Sequence, residues 1–90
     1  MSKRIAFTVS GEVQGVFFRD FTQKKANSYG ITGFVSNTSD GKVAGEAQGD
    51  DNALQKLKAD LNKGPGQAHV VKVEVKDVAV KDGEKSFETA

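Results

Sequence analysis

The segment Gly11-Glu12-Val13-Gln14-Gly15-Val16-Phe17-Phe18-Arg19 joins two stretches of different hydrophobic period. Before it, apolar and polar residues alternate as in a strand; after it, apolar residues recur at helical spacing. A glycine-containing loop in that position can turn successive backbone N–H groups toward one point. The helix behind it adds unpaired N–H groups and the positive end of its dipole. Arg19 falls in the first helical turn, where a cation is disfavoured, and a bound anion would account for it. Its guanidinium fork suits two parallel hydrogen bonds to a phosphate. A lone glycine also fits an ordinary turn, and a first-turn arginine also fits a solvated side chain, so the segment by itself leaves both readings open.

A second group with chemical capacity lies in Gly33-Phe34-Val35-Ser36-Asn37-Thr38-Ser39-Asp40-Gly41. Asn37 ends an apolar run just before a turn signal. Its carboxamide offers an acceptor and two donors, so it can hold a water and still bond a phosphate oxygen, although it is no strong base. An asparagine is equally at home opening a turn, through its side-chain-to-backbone hydrogen bond.

The elements that must position these residues follow from periodicity. Ile5, Phe7 and Val9 alternate with Ala6, Thr8 and Ser10, which gives a strand over 3–12. The first helix is expected from Phe18 to Tyr29, with Phe18, Phe21, Thr22, Lys25, Ala26 and Tyr29 along one stripe and Lys24, Asn27 and Ser28 facing away. Gly30 follows as its C′ residue. Strands at 31–38 and 43–48 flank Ser39-Asp40-Gly41 and form a hairpin. Asp50, Asp51 and Asn52 are three cap candidates, and Asn52 with Gln55 resembles a capping box. The second helix buries Leu54, Leu57 and Leu61 and stops at Lys63-Gly64-Pro65-Gly66. The last long strand begins near His69 with Val71, Val73 and Val75 on one face; the change of parity at Val78 and Val80 predicts a bulge near Asp77. Residues 86–88 form a short closing strand carrying Phe87.

The order β-α-β-β-α-β, with a short C-terminal strand, predicts a two-layer α/β sandwich of the ferredoxin-like type with a mostly antiparallel sheet. With 90 residues and no visible linker, the chain reads as a single domain over 1–90.

Composition narrows the chemistry. There is no cysteine, which removes disulfides, thiolate catalysis and cysteine zinc sites. The one histidine, His69, cannot build a metal cluster alone, and no calcium-loop spacing appears. Thirteen basic residues face 12 acidic ones, for a net charge of +1, which suits no polyanionic partner. The third strand has no aromatic residue for base stacking, which argues against a single-stranded RNA-binding module on the same sandwich. No apolar run could span a bilayer, and the start, Met1-Ser2-Lys3-Arg4, lacks the apolar core of a secretory leader. The expected location is the cytoplasm, with no membrane or nucleic-acid partner.

The two segments together resemble the signatures of the acylphosphatase family. Gly11, Val13, Gln14, Gly15, Val16, Phe18 and Arg19 match the first; Gly33, Phe34, Val35, Asn37, Thr38, Asp40, Gly41 and Val43 match the second, at the expected distance downstream. Gly45-Glu46-Ala47-Gln48-Gly49, Gly64-Pro65 and Phe87-Glu88 extend the resemblance over nearly the whole chain. Phe34 stands where many members carry tryptophan, and the ending Phe87-Glu88-Thr89-Ala90 is shorter than the apolar or aromatic ending of some relatives.

The resemblance implies hydrolysis of acyl phosphates, the mixed anhydrides of carboxylic and phosphoric acid. It assigns phosphate binding to Arg19, water positioning to Asn37, a cradle of mainly backbone N–H groups to Gln14, Gly15, Val16, Phe17, Phe18 and Arg19, and orientation of the asparagine to Thr38. It implies no metal and no cofactor. It also implies a small-molecule acyl phosphate substrate, with inorganic phosphate as product and weak competitive inhibitor. A monomer is expected. The alternative is a non-catalytic phosphate-binding or regulatory domain on the same fold.

Overall fold

The computed structural model describes residues 2–14, 17–66 and 68–90. Five strands and two helices follow in the order β1 (Lys3–Glu12), α1 (Phe18–Ser28), β2 (Thr32–Asn37), β3 (Val43–Gly49), α2 (Asp51–Lys63), β4 (His69–Val78) and β5 (Phe87–Thr89). The sheet order is β4-β1-β3-β2-β5. All neighbours are antiparallel except β2 and β5. This is the ferredoxin-like arrangement expected from the element order, with the short last strand added at the β2 edge.

One face of the sheet carries the core. Ile5, Phe7 and Val9 of β1, Val35 of β2, and Val43 and Ala47 of β3 pack beneath Phe18 and Ala26 of α1 and Leu54, Leu57 and Leu61 of α2. Period 2 on the strands and a 3–4 residue spacing on the helices put these apolar groups on one side of each element. Along α1 the predicted stripe is present: Phe18, Thr22 and Ala26 are buried, while Phe21, Lys25 and Tyr29 are half-buried. Gly30, at φ 73°, closes the helix through its N–H to the Asn27 carbonyl at 3.1 Å.

Three local expectations are corrected. The α2 cap is Asp50, whose side chain accepts from the Ala53 N–H at 2.7 Å, and not an Asn52–Gln55 box. The β4 irregularity lies at its start: Ser10 pairs with Lys72 and Gly11 with Val70, so Val71 is the extra residue and is 71% exposed. Gly11 permits this close pairing, since a β-carbon there would sit 2.2 Å from the His69 carbonyl oxygen. Val78 needs no bulge. It pairs with Arg4 and so lies on the sheet face away from the helices. Asn27 does not simply face away from the protein: its carboxamide accepts from the Phe87 N–H at 2.9 Å and donates to the Phe87 carbonyl at 3.2 Å, holding β5 to α1.

Candidate active site

The sheet topology brings the two chemical segments together. β1 and β2 both run antiparallel to β3, so their C-terminal ends share one edge of the molecule. Val43 pairs with Val9 on one side and with Asn37 on the other. The loop after β1 therefore emerges at the same end of the sheet as Asn37. The bulge opposite Gly11 adds local twist there, as bulges beside functional sites commonly do.

At the far end of that loop, Phe17 is the N-cap of α1 and has left-handed backbone, φ 60° and ψ 26°. It is the only non-glycine residue with positive φ among the described residues. A left-handed residue next to right-handed helical ones forms a concave run of N–H groups that suits an anion. Phe17 gives the first turn of α1 no side-chain cap, so the cap residue leaves the turn's N–H groups and the helix dipole open to an outside acceptor. Phe18 anchors this turn: its ring is 1% exposed and stacks edge-on to Phe21, with centroids 6.0 Å apart.

Arg19 and Asn37 line one depression of about 370 Å³, together with Phe17, Asp20, Gln23 and Thr89 and, beneath them, Val13 and Phe18. Arg19 is exposed, and its Nη1 donates to the Ala90 carbonyl oxygen at 3.3 Å. That carbonyl is fixed by the Ala90 N–H, which bonds the Val35 carbonyl at 2.8 Å and so prolongs the β5–β2 pairing. Asp20 also lines the depression, but its carboxylate pairs with Lys24 at 3.1 Å, one helical turn on, which directs its charge along the helix surface.

Gln14 acts through its side chain as well as its place in the loop. Its Nε2 donates to the carbonyls of Thr38 and Lys42, each at 3.0 Å, joining the loop to the hairpin. Thr38 was expected to orient Asn37. Its hydroxyl instead serves the turn: it donates to the Asp40 carboxylate and accepts from the Lys42 N–H at 3.0 Å. The Thr38 hydroxyl, with Lys42 in support, holds the Asp40 carboxyl below its usual range. Thr38 thus steadies the hairpin that carries Asn37. Gly15 and Val16 of the expected cradle lie outside the described residues.

Among the described residues, no three histidine, aspartate or glutamate side chains gather closely enough to hold a metal ion. No described helix is long and apolar enough to cross a membrane.

The acylphosphatase family model matches residues 5–89. The chain belongs to the acylphosphatase family. It is 41% identical over 86 residues to an acylphosphatase of Clostridium perfringens, covering 96% of this chain and 97% of that one. Among solved structures, it superposes on an acylphosphatase from Coxiella burnetii with a TM-score of 0.94 at 39% identity, covering 99% and 93% of the two chains. The acylphosphatase of Bacillus subtilis gives 0.93 at 32% identity, covering 100% and 99%. As an acylphosphatase-family member of this similarity, the chain is an enzyme, and its general chemistry is hydrolysis of acyl phosphates.

Two features of this candidate site carry no clear signal in the sequence. Phe17 carries no signal for left-handed backbone, a conformation usually marked by glycine or asparagine. The Gln14 side-chain tether depends on the fold bringing residues 38 and 42 to residue 14. Only the hydrogen-bonding capacity of glutamine, in a loop with a fixed exit, hinted at it.

Proposed function

We propose that the chain cleaves acyl phosphates to carboxylate and inorganic phosphate without a metal, with Arg19 and the N–H groups of the 14–19 loop holding the phosphoryl group and Asn37 placing the attacking water. The observation that supports this most is that Arg19 and Asn37 line one depression at the N-terminus of α1, whose cap residue Phe17 offers no side-chain acceptor.

The chemistry suits these residue types. The leaving group is a carboxylate, which departs without a strong general acid. Phosphoryl transfer depends mainly on in-line positioning and on stabilising charge over the equatorial oxygens. Arg19, the loop N–H groups and the helix dipole supply positive potential from fixed positions, which is the role a metal plays elsewhere. Asn37 accepts a hydrogen bond from the water through its amide oxygen and aims the water oxygen at phosphorus opposite the departing carboxylate. The second hydrogen bond of the amide can reach a phosphoryl oxygen. The water proton then passes to the phosphate being formed, so no side-chain base is required.

The reading includes a monomer acting in the cytoplasm on a small diffusible substrate, in keeping with a near-neutral chain that has no cysteine. The test is hydrolysis of benzoyl phosphate in the presence of a chelator, with Arg19→Ala alongside. Turnover that survives the chelator and is lost in the variant supports the proposal. Turnover abolished by the chelator and restored by a divalent cation removes the metal-free mechanism. A folded protein with no turnover removes the activity.

A further inference from the structure

Phe17 combines three properties that neither the fold nor phosphate binding calls for together. Its backbone is left-handed, at φ 60°, which a β-carbon disfavours and which glycine or asparagine adopts with little penalty. Its side chain is 79% exposed, so no core packing offsets that strain. Its ring is also large and apolar, where solvent exposure alone would favour a polar residue. Strained residues of this kind concentrate at functional sites.

The ring stands on the depression that holds Arg19 and Asn37. The other two apolar residues of that depression, Val13 and Phe18, are each 1% exposed and present little surface to a ligand. Phe17 is therefore the one large apolar surface at the site among the described residues. An acyl phosphate has two ends. The phosphoryl end belongs with Arg19 and the N–H groups. The acyl end leaves on the side opposite the water and falls to the rest of the depression's lining.

We propose that Phe17 is the specificity-determining residue for the acyl group: its ring forms an apolar shelf that favours aromatic and bulky acyl substituents over acetyl. This rests on the reading of the depression as the acyl phosphate site. The left-handed backbone serves both ends, since it shapes the N–H run for phosphate and leaves the side chain exposed on the depression's lining. Contact between an aromatic ring and an aryl substrate adds to simple apolar burial.

The test compares kcat/KM for benzoyl phosphate and acetyl phosphate in the wild type, Phe17→Tyr, Phe17→Asn and Phe17→Gly. Asparagine and glycine tolerate left-handed backbone, so these variants remove the ring without adding strain. The benzoyl-to-acetyl ratio should be kept in Phe17→Tyr and should fall about 5-fold or more in Phe17→Asn and Phe17→Gly. An unchanged ratio in both ring-less variants, with both substrates still hydrolysed, overturns the shelf and leaves the site reading intact. A parallel fall for both substrates, with weaker inhibition by inorganic phosphate, gives Phe17 a backbone role and also overturns the shelf. Absence of turnover with either substrate in the wild type overturns the site reading itself, and the shelf with it.

Discussion

The Gln14 side chain donates to the Thr38 carbonyl at 3.0 Å, and so ties the loop before α1 to the hairpin that carries Asn37. The same amide reaches the Lys42 carbonyl on the other arm of the turn. Two segments to which the proposed mechanism gives separate tasks, phosphate binding and water positioning, are thereby held in one geometry. Gln14→Ala should lower kcat/KM about tenfold, because in-line attack is sensitive to small displacements. The exposed carbonyls can turn to water, so stability should fall by only about 1 kcal/mol. Steady-state kinetics and thermal unfolding of the same variant check both numbers. An unaltered kcat/KM would mean that the backbone alone holds the loop against the hairpin.

Arg19 is asked to supply more than charge. Its planar fork can meet two phosphoryl oxygens at once, whereas a lysine is a point charge on a flexible stem. Arg19→Ala should reduce kcat/KM by about 10³-fold or more, the scale of a charge-clamping arginine in phosphoryl transfer. Arg19→Lys should recover only a minor part of that loss, and both variants should be less sensitive to inhibition by inorganic phosphate. Full activity in Arg19→Lys would reduce the fork to a simple charge.

Asn37 should behave differently, since the proposed mechanism sets it against the attacking water and not mainly against the phosphoryl group. Asn37→Ala is expected to lower kcat by about 10²-fold or more while KM stays close to the wild-type value. A large rise in KM with unchanged kcat would contradict water positioning and make Asn37 a binding residue.

The parts of the molecule set by local pattern were legible in the sequence. Ile5, Phe7 and Val9 alternate because one sheet face is buried, and Leu54, Leu57 and Leu61 recur because one helix face is. The pairing of Arg19 with Asn37 in one site came from the family signatures, and its physical basis is that β1 and β2 end at the same edge of the sheet. The β4 bulge was misplaced because valine stands at 70, 71 and 73, so apolar parity could not show which one is extra. Gly11 on the partner strand was the missing cue. Arg4 was invisible for a stronger reason. Period 2 marks it as solvent-facing, yet it is 2% exposed, because residues far along the chain cover it.

That covering yields a pH prediction. Arg4 Nε donates to Glu46 at 2.6 Å, Nη1 donates to Gln48 Oε1 at 3.0 Å, and Nη1 and Nη2 meet the two oxygens of Glu84 at 2.6 and 3.1 Å. Gln48 in turn accepts from the Lys81 N–H at 2.8 Å and donates to its carbonyl at 2.9 Å. The network fastens the segment before β5 over the sheet face away from the helices. The Arg4 guanidinium holds the Glu84 carboxyl below the usual carboxylate range, and the two carboxylates raise Arg4 above its own. A depressed folded pKa means that the unfolded chain binds the proton more readily. The stabilisation is therefore complete above the unfolded value of about 4.3 and is lost as pH falls through the lower folded value. Glu84→Gln should cost about 2 kcal/mol near neutral pH, since Glu46 remains as a partner for the buried guanidinium. The gap to the wild type should narrow as pH drops below about 4, where the wild-type carboxylate takes up a proton in the unfolded chain while the folded one still resists it. Urea unfolding of both proteins at about pH 7, 5 and 3.5 reads this directly. A gap that stays constant across that range would mean that Glu84 holds the segment by shape and neutral hydrogen bonding, with its charge contributing nothing.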